Sequence, residues 1–239
     1  MTTYTCFKAY DIRGKLGDEL NGDIARRVGR AFAEGLGAQR VVLGQDCRAS
    51  SAELAQAVAE GLVAAGVEVM DLGLCGTEEM YFATTALGAD GGIEVTASHN
   101  PMDYNGMKLV RRGSAPLDAG SGLARIKALA ESGAFAPDQA GGRVVDASAT
   151  RAGFVERVLS FVDISALRPL KIVVNAGNGA AGPTFDAIAD ELAARGAPLE
   201  FVRMHHQPDG SFPNGIPNPL LPENQPVTAQ AVLAAGADM

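Results

Sequence analysis

The sequence predicts an α/β protein made of two successive three-layer α/β/α domains with mostly parallel mixed sheets, the second of them incomplete. Short apolar segments typical of strands alternate with segments of helical periodicity, and this alternation favours a largely parallel sheet with helices on both faces. The stretch Ala134–Thr150 loses this periodicity and is rich in Gly, Ala, Asp and Pro. We therefore predict a first domain at residues 1–148 and a second domain at residues 149–239.

Helices and strands alternate along the first predicted domain. Asn21–Leu36 carries apolar residues at helical spacing and ends among glycines, and Thr77 is a good N-cap for a helix that runs towards Leu87. The predicted helices are Asn21–Leu36, Ser50–Ala65, Thr77–Leu87 and Gly122–Ser132. The predicted strands are Arg40–Leu43, Val67–Leu72 and Gly92–Thr96.

The second predicted domain repeats this alternation. Pro183 suits the first turn of a helix, because the amide hydrogen that proline lacks would be unbonded there in any case. The predicted helices are Arg151–Phe161, Pro183–Arg195 and Thr228–Ala235, and the predicted strands are Lys171–Asn175 and Leu199–Met204. The Pro- and Asn-rich segment Gln207–Pro226 is a predicted loop. Residues 236–239 resemble the beginning of a further strand, which is why we expect the second domain to be incomplete.

The composition limits the classes of partner. The chain has 20 basic and 28 acidic residues and a net charge of −8, so its bulk electrostatics argue against binding to nucleic acid or to an anionic membrane. A few local cations can still make one cleft suitable for an anionic substrate. No segment approaches the roughly 18 consecutive apolar residues of a membrane span, and the N-terminus lacks a signal-peptide pattern. We expect a cytoplasmic protein whose oligomeric state the sequence does not reveal.

The segment Thr96–Pro101 carries the strongest functional signal. It follows a β-prone apolar segment, so Ser98 lies where a strand ends and a loop begins, a position at which α/β proteins place reactive groups. His99 is adjacent, Asn105-Gly106 predicts a tight reversal, and Lys108 follows just after it. A hydroxyl, a titratable ring and an ammonium are thus predicted within one short loop.

This string, together with Asp103–Gly106 and Lys108, closely resembles the phosphoserine loop of the α-D-phosphohexomutases, the family that includes phosphomannomutase and phosphoglucomutase. Three further stretches resemble signatures of the same family and occur in its order: Phe7–Gly14, Gly44–Arg48 and Asp209–Asn214. The sequences of Gly76–Glu79 and Asn214–Pro219 most resemble those of bacterial phosphomannomutases that feed nucleotide-sugar synthesis. The resemblance implies that both domains are of the phosphohexomutase type.

The resemblance also implies a Mg²⁺-dependent interconversion of mannose 6-phosphate and mannose 1-phosphate through a phosphoserine and a hexose 1,6-bisphosphate. Ser98 would be the phosphorylated residue, and an oxygen of its phosphate would be a magnesium ligand. His99 and Lys108 would lie against the phosphate, with Lys108 as the better candidate for general acid or base. Tyr10 and Arg13 of the Tyr-Asp-Ile-Arg-Gly motif would flank the same site, and Arg13 offers a bidentate fork for phosphate oxygens. The implied partner is a hexose phosphate.

The chain also departs from the family pattern. The family's other metal ligands are three aspartates of an Asp-Gly-Asp-x-Asp-Arg loop, which this sequence lacks, as it lacks the third and fourth domains that read the sugar and bind its phosphate. We therefore expect the N-terminal half of such an enzyme, inactive as a fragment. Gln45 stands where the family often has a basic residue, so a charge role for that turn rests on Arg48. Phosphoglucomutase or another family member, and a non-catalytic binding fragment, stay open as alternatives.

A second glycine-rich motif points to a different function. Gly177–Gly182 matches G-x-G-x-x-G between a predicted strand and a predicted helix, which is the context of an NAD-binding oxidoreductase. The following strand, Leu199–Met204, does not end in the acidic residue that binds the ribose but runs into His205-His206. We therefore interpret the glycines as a tight strand-to-helix turn and the two histidines as surface residues. A serine hydrolase is not indicated, because the G-x-S-x-G elbow is missing.

Overall fold

The computed structural model describes residues 3–118 and 120–239, which divide into two compact units between Thr150 and Arg151. The strands of the first unit are β1 (Asp11–Lys15), β2 (Arg40–Gln45), β3 (Glu68–Leu74), β4 (Gly91–Val95), β5 (Tyr104–Arg111), β6 (Ala115–Pro116) and β7 (Arg143–Asp146). Its helices are α1 (Gly22–Leu36), α2 (Ser51–Ala64), α3 (Thr77–Ala86) and α4 (Leu123–Ser132). From the boundary onward follow α5 (Thr150–Leu159), β8 (Leu170–Asn175), α6 (Ala181–Ala194), β9 (Leu199–Met204) and α7 (Gln225–Ala235).

The strands of the first unit form one mixed sheet in the order β1-β5-β4-β2-β3-β7, with β6 paired to β5. β2 is parallel to β3 and β4, and β3 is parallel to β7. β5 is antiparallel to β1, β4 and β6. In this register Glu94 of β4 lies opposite Gly44 of β2 and opposite Lys108 of β5. Side chains that share a register position in adjacent strands share a face of the sheet.

Helices cover both faces of this sheet. α1, α2 and α4 pack on one face, where Phe32 and Ile93 are completely buried. α3 packs on the other face, where Met80 and Val110 are buried together. The predicted α/β class, with a mixed sheet between layers of helices, is confirmed. No helix in the described ranges combines the length and the apolarity that crossing a membrane requires.

The largest correction to the sequence predictions concerns Asn105-Gly106. The predicted tight reversal at this pair is wrong, because both residues lie inside β5 between β1 and β4. Glycine is required at position 106 by close packing rather than by a turn: a Cβ there would lie 2.1 Å from the carbonyl oxygen of Ile12 on β1. The chain turns earlier, where the amide of Tyr104 donates to the carbonyl of Pro101 at 3.1 Å. Lys108 is therefore a strand residue and not a loop residue.

The second unit is built on the parallel pair β8 and β9, which stay in register over their full lengths. Val155, Leu159 and Leu192 form its small apolar core. At the predicted further strand, the amide of Asp238 donates to the carbonyl of Lys171 at 2.8 Å, so this segment lies alongside β8 without forming a regular strand.

Candidate active site

The loop that joins β4 to β5, residues 96–103, presents Ser98; we call it the serine loop. Ser98 is exposed, and its backbone is left-handed with a φ of 51°. A non-glycine residue in this conformation costs on the order of 1–3 kcal/mol and persists only where its surroundings fix it. Here the amide of Ser98 donates to Oγ1 of Thr96 at 2.9 Å, and the amide of Thr96 donates to the carbonyl of Gly106 at 3.0 Å. The Ser98 hydroxyl is therefore exposed to solvent, while hydrogen bonds fix the backbone that carries it.

The segment that follows β2 supports the serine loop. The amide of Asp46 donates to the carbonyl of Val95 at 2.9 Å, and Oδ2 of Asp46 accepts from the amide of Ala97 at 3.3 Å. Nη2 of the buried Arg48 donates to the carbonyl of Ser98 at 3.0 Å. Burial lowers the pKa of Arg48 from its ordinary value, and the Asp46 carboxylate opposes this shift. The guanidinium keeps its charge, because arginine does not lose its proton in proteins.

His99 lies directly beside the serine hydroxyl. Its Nδ1 is 3.2 Å from Oγ of Ser98, and both side chains are exposed. Within the described ranges no carboxylate is hydrogen-bonded to the other ring nitrogen of His99, so the third member of a Ser-His-Asp triad is missing. The pair is exposed and can contact an incoming anion from solvent.

Lys108 lies on β5 between two acidic neighbours in adjacent strands. Its register partners are Asp11 on β1 and Glu94 on β4, and its side chain is half-buried. It forms no ion pair or hydrogen bond with any residue of the described part of the chain. Gly106 lies two residues before Lys108 and therefore on the same face of β5. Its carbonyl oxygen accepts the hydrogen bond from the amide of Thr96 in the serine loop. The ammonium is thus available to an anion bound near that loop.

Arg13 contacts the serine loop, whereas Tyr10 does not hydrogen-bond to it. Nη1 of Arg13 donates to the carbonyl of Thr96 at 2.9 Å, and Nη2 lies 3.1 Å from Oδ2 of Asp11. Tyr10 precedes β1 and is 70% exposed. The structure therefore places Arg13 against the loop that carries Ser98 and His99, and the predicted roles of Arg13 and Tyr10 stay predictions.

Glu94 is a notable residue of this region that the sequence patterns do not single out. It is 1% exposed in β4, and the Cys75 thiol donates to its Oε2 at 3.4 Å. Its Oε1 is buried without a hydrogen-bond partner in the described ranges. A Cβ on Gly44 would lie 2.2 Å from Oε2, so glycine there makes room for the carboxyl. Burial raises the pKa of Glu94 well above its ordinary value; the Cys75 hydrogen bond opposes this, and the nearby Asp46 adds to it.

This raised pKa predicts a specific pH dependence of stability. Above the ordinary glutamate pKa of 4.5, the unfolded chain releases the Glu94 proton while the folded chain keeps it. The contribution of Glu94 to stability is therefore fully present below that pH and decreases as the pH rises towards the folded-state pKa. Glu94→Gln cannot ionise and keeps an oxygen for the Cys75 thiol. As the pH is raised from about 5 to about 8, we expect the melting temperature of Glu94→Gln to fall less than that of the wild type.

Glu53→Gln, at an exposed position of α2, is the matched control and should follow the wild-type pH profile. Thermal unfolding across this pH range measures both variants. A Glu94→Gln profile as steep as the wild-type profile would show that Glu94 ionises normally in the folded chain.

Metal binding at this site depends on the donor groups that the described residues supply. No group of three or more His, Cys, Asp or Glu side chains in the described residues is arranged to hold a metal ion. The Asp46 carboxylate is already bound to Arg48 and Ala97. In the serine loop, the exposed hydroxyl of Ser98 and the carboxylate of Asp103, which is paired with Lys15, are the nearby oxygen donors.

The glycine-rich motif of the second unit is organised by Asn178, whose backbone is left-handed with a φ of 55°. Its Nδ2 donates to the carbonyl of Gln207 at 2.9 Å, and its Oδ1 accepts from Nδ2 of Asn214 at 2.9 Å. A Cβ on Gly182 would lie 2.1 Å from the carbonyl oxygen of His206, so this glycine permits close backbone packing. These contacts support the interpretation of the motif as a strand-to-helix turn.

The prediction that both histidines after β9 are surface residues is wrong for His206. Its side chain is 9% exposed, and Nε2 lies 2.8 Å from Oδ2 of Asp186 on α6. Arg203 binds the other oxygen of Asp186, with Nε 2.7 Å from Oδ1. The Asp186 carboxylate on α6 binds the His206 ring, and local sequence does not encode this contact between distant residues.

Family comparison agrees with this fold. Residues 5–137 match the family described as phosphoglucomutase/phosphomannomutase, alpha/beta/alpha domain I, and residues 152–239 match its alpha/beta/alpha domain II. The chain therefore belongs to the phosphoglucomutase/phosphomannomutase family. The resemblance drawn from the four sequence stretches is confirmed.

Individual relatives extend this result. The chain is 57% identical to a phosphomannomutase of Salmonella montevideo, covering 100% of this chain and 53% of that protein. It is 54% identical to a Xanthomonas campestris protein named "Phosphohexose mutases", covering 99% and 51%. A crystal structure of a phosphoglucomutase/phosphomannomutase family protein from Burkholderia thailandensis superposes with a TM-score of 0.87 at 38% identity, covering 99% and 52%. The chain spans about half the length of the curated relatives it matches.

Proposed function

We propose that this chain is part of a phosphomannomutase that interconverts mannose 6-phosphate and mannose 1-phosphate, with Ser98 as the phosphoryl carrier. The observation that carries the proposal is the exposed Ser98 hydroxyl on a left-handed, multiply bonded backbone. Phosphomannomutases with 50–57% identity over the whole chain support the substrate class.

The proposed chemistry is two phosphoryl transfers. A sugar hydroxyl attacks the phosphorus of phosphorylated Ser98, the P–Oγ bond breaks, and a P–O bond to the sugar forms, giving a hexose 1,6-bisphosphate. We assign both proton transfers to Lys108, whose ammonium is unpaired in the described residues: it donates a proton to Oγ as the P–Oγ bond breaks, and the amine so formed accepts the proton of the attacking hydroxyl. After the sugar reorients, Oγ takes the phosphoryl group from the other end. A carrier is needed because the two sugar oxygens are far apart.

The other side chains of the site bind and orient the phosphate. Phosphoserine carries a charge of about −1.5 to −2 at neutral pH, so nearby cations stabilise it. Arg13 has guanidinium hydrogens beyond those bonded to Thr96 and Asp11, and we assign these to phosphate oxygens. His99 borders the phosphate on the side of its Nδ1. The exposed Tyr10 ring is assigned to the rim of the same site.

We also propose that the complete enzyme uses Mg²⁺, to which Ser98 contributes one phosphate oxygen. The cation would neutralise charge on the transferring phosphoryl group. The remaining ligands must come from outside the described residues, because these contain no suitable cluster of donors.

A coupled assay of the full-length protein tests the proposal. Mannose 1-phosphate should be converted to the 6-phosphate, with a hexose 1,6-bisphosphate present to phosphorylate the serine. The description of the matched family names phosphoglucomutase beside phosphomannomutase, so glucose 1-phosphate is assayed in parallel as a second candidate substrate. Turnover of glucose 1-phosphate alone would show that glucose phosphate, and not mannose phosphate, is the substrate. Turnover of neither sugar phosphate would reject the proposed function.

A further inference from the structure

Arg48 is the residue most extensively bonded to the serine loop. Its side chain is 3% exposed. Nη1 donates to the carbonyl oxygens of Pro101 at 2.9 Å and Tyr104 at 3.2 Å. Nη2 donates to the carbonyl oxygens of Ser98 at 3.0 Å and Asn100 at 2.6 Å. One buried guanidinium therefore binds four backbone acceptors, from the candidate nucleophile to the first residue of β5.

Asp46 fixes the position of this guanidinium. Nε of Arg48 lies 3.6 Å from Oδ2 of Asp46, and the amide of Arg48 donates to Oδ1 at 2.9 Å. The same carboxylate accepts from the amide of Ala97 and from the hydroxyl of Ser51 at the start of α2. The Asp46 side chain thus joins the arginine, the beginning of the serine loop and the start of α2.

We infer that Arg48 is a positioning residue for phosphoryl transfer: its guanidinium holds the serine loop in the conformation that presents Oγ of Ser98 to a sugar phosphate. The inference rests on the proposed function of Ser98. It assigns Arg48 the support of the loop, because its guanidinium donates to four backbone carbonyls and lies beside Asp46.

The geometry of the guanidinium is what this role requires. Arginine presents five N–H donors in a rigid plane, whereas the three donors of lysine radiate from a single nitrogen. Arg48→Lys would keep the charge but could not reach four separated carbonyls. The left-handed Ser98 would then lose the contacts that fix its backbone. A nucleophile displaced by about 1 Å can lose roughly 10²-fold in rate, so the loss should appear in kcat.

Arg30 on α1 provides a matched control. It is equally buried, at 5% exposure, and its guanidinium also donates to backbone carbonyls, those of Ala136 and Pro137. It is ion-paired to Glu34 and Asp138. None of these residues belongs to the serine loop, so Arg30→Lys removes a comparable structural contact without affecting Ser98.

The experiment compares Arg48→Lys and Arg30→Lys in the full-length enzyme by hydrogen exchange and by steady-state kinetics. In Arg48→Lys the amides of residues 96–104 should exchange at least about tenfold faster, and kcat should fall about 10- to 100-fold with KM changed less than about threefold. In Arg30→Lys the melting temperature should fall, while exchange in this segment and kcat stay close to the wild type.

Two results would overturn the inference: unchanged exchange of residues 96–104 in Arg48→Lys, or faster exchange with an unchanged kcat. If Arg48→Lys does not fold, Asp46→Asn, which weakens the anchor of the guanidinium, must show the same two effects or the inference fails. Full activity of a Ser98→Ala variant would reject the proposed function without altering the exchange result, so the two failures are distinguishable.

Discussion

Ser98→Ala in the full-length protein is expected to reduce mutase activity to background while the protein folds normally. The alanine removes only the oxygen that would carry the phosphoryl group, and no other hydroxyl occupies its place in the serine loop. Because Ser98 is exposed and, within the described part of the chain, its Oγ bonds to His99 alone, loss of the hydroxyl should cost little stability. The coupled mannose phosphate assay and a thermal melt measure the two effects.

Ser114→Ala is the control for the backbone conformation. Ser114 is a second left-handed serine, with a φ of 57°, and its hydroxyl bonds to Thr85 and to the carbonyl of Tyr81. Its replacement by alanine imposes a similar backbone demand but should leave mutase activity within about threefold of the wild type. Wild-type activity in Ser98→Ala would contradict the assignment of Ser98 as phosphoryl carrier.

Lys108→Met is expected to lower kcat by about 10²–10⁴-fold, the range of general acid–base catalysis. The ammonium has no other partner among the described residues, so its loss breaks no ion pair and should leave the fold intact. Steady-state kinetics of the full-length enzyme measure the effect. Lys108→Arg separates charge from proton transfer: arginine binds phosphate but does not give up its proton, so KM should recover more than kcat.

Lys127→Met on α4 provides the control for loss of a lysine. Lys127 is paired with Glu131 within its own helix, so the substitution should leave kcat unchanged. If Lys108→Met changes only the melting temperature and leaves kcat intact, Lys108 is a structural residue and the acid–base role must move elsewhere.

The parts of the site that could be predicted are those encoded by short strings. Thr96–Pro101 follows an apolar strand directly, so the position of Ser98 at a strand end depends on a few adjacent residues. The family resemblance predicts only that Arg13 flanks the site; its bond to Thr96 joins residues that meet across β1, β5 and β4, which local sequence does not encode. The helices and the inner strands of the sheet are also encoded by short segments, so local periodicity predicts them.

The parts that could not be predicted depend on contacts between distant segments. A glutamate in a strand is usually exposed to solvent. Glu94 is buried because Gly44 and Cys75, which are distant in sequence, lie beside it in the fold. The bonds from Arg48 to the serine loop join residues at least 50 positions apart. Asn105-Gly106 has the composition of a turn, but its pairing with β1 and the hydrogen bond from the Thr96 amide to Gly106 keep it extended.

The central claim is that Ser98 carries the phosphoryl group, and mass spectrometry of the full-length protein tests it most directly. The protein is incubated with a hexose 1,6-bisphosphate, digested, and its peptides are mapped. We predict one added phosphoryl group on the peptide that contains Ser98, lost on addition of excess sugar monophosphate and absent from the Ser98→Ala variant. An active enzyme in which Ser98 stays unmodified, or in which the phosphate resides on another residue, would contradict the account.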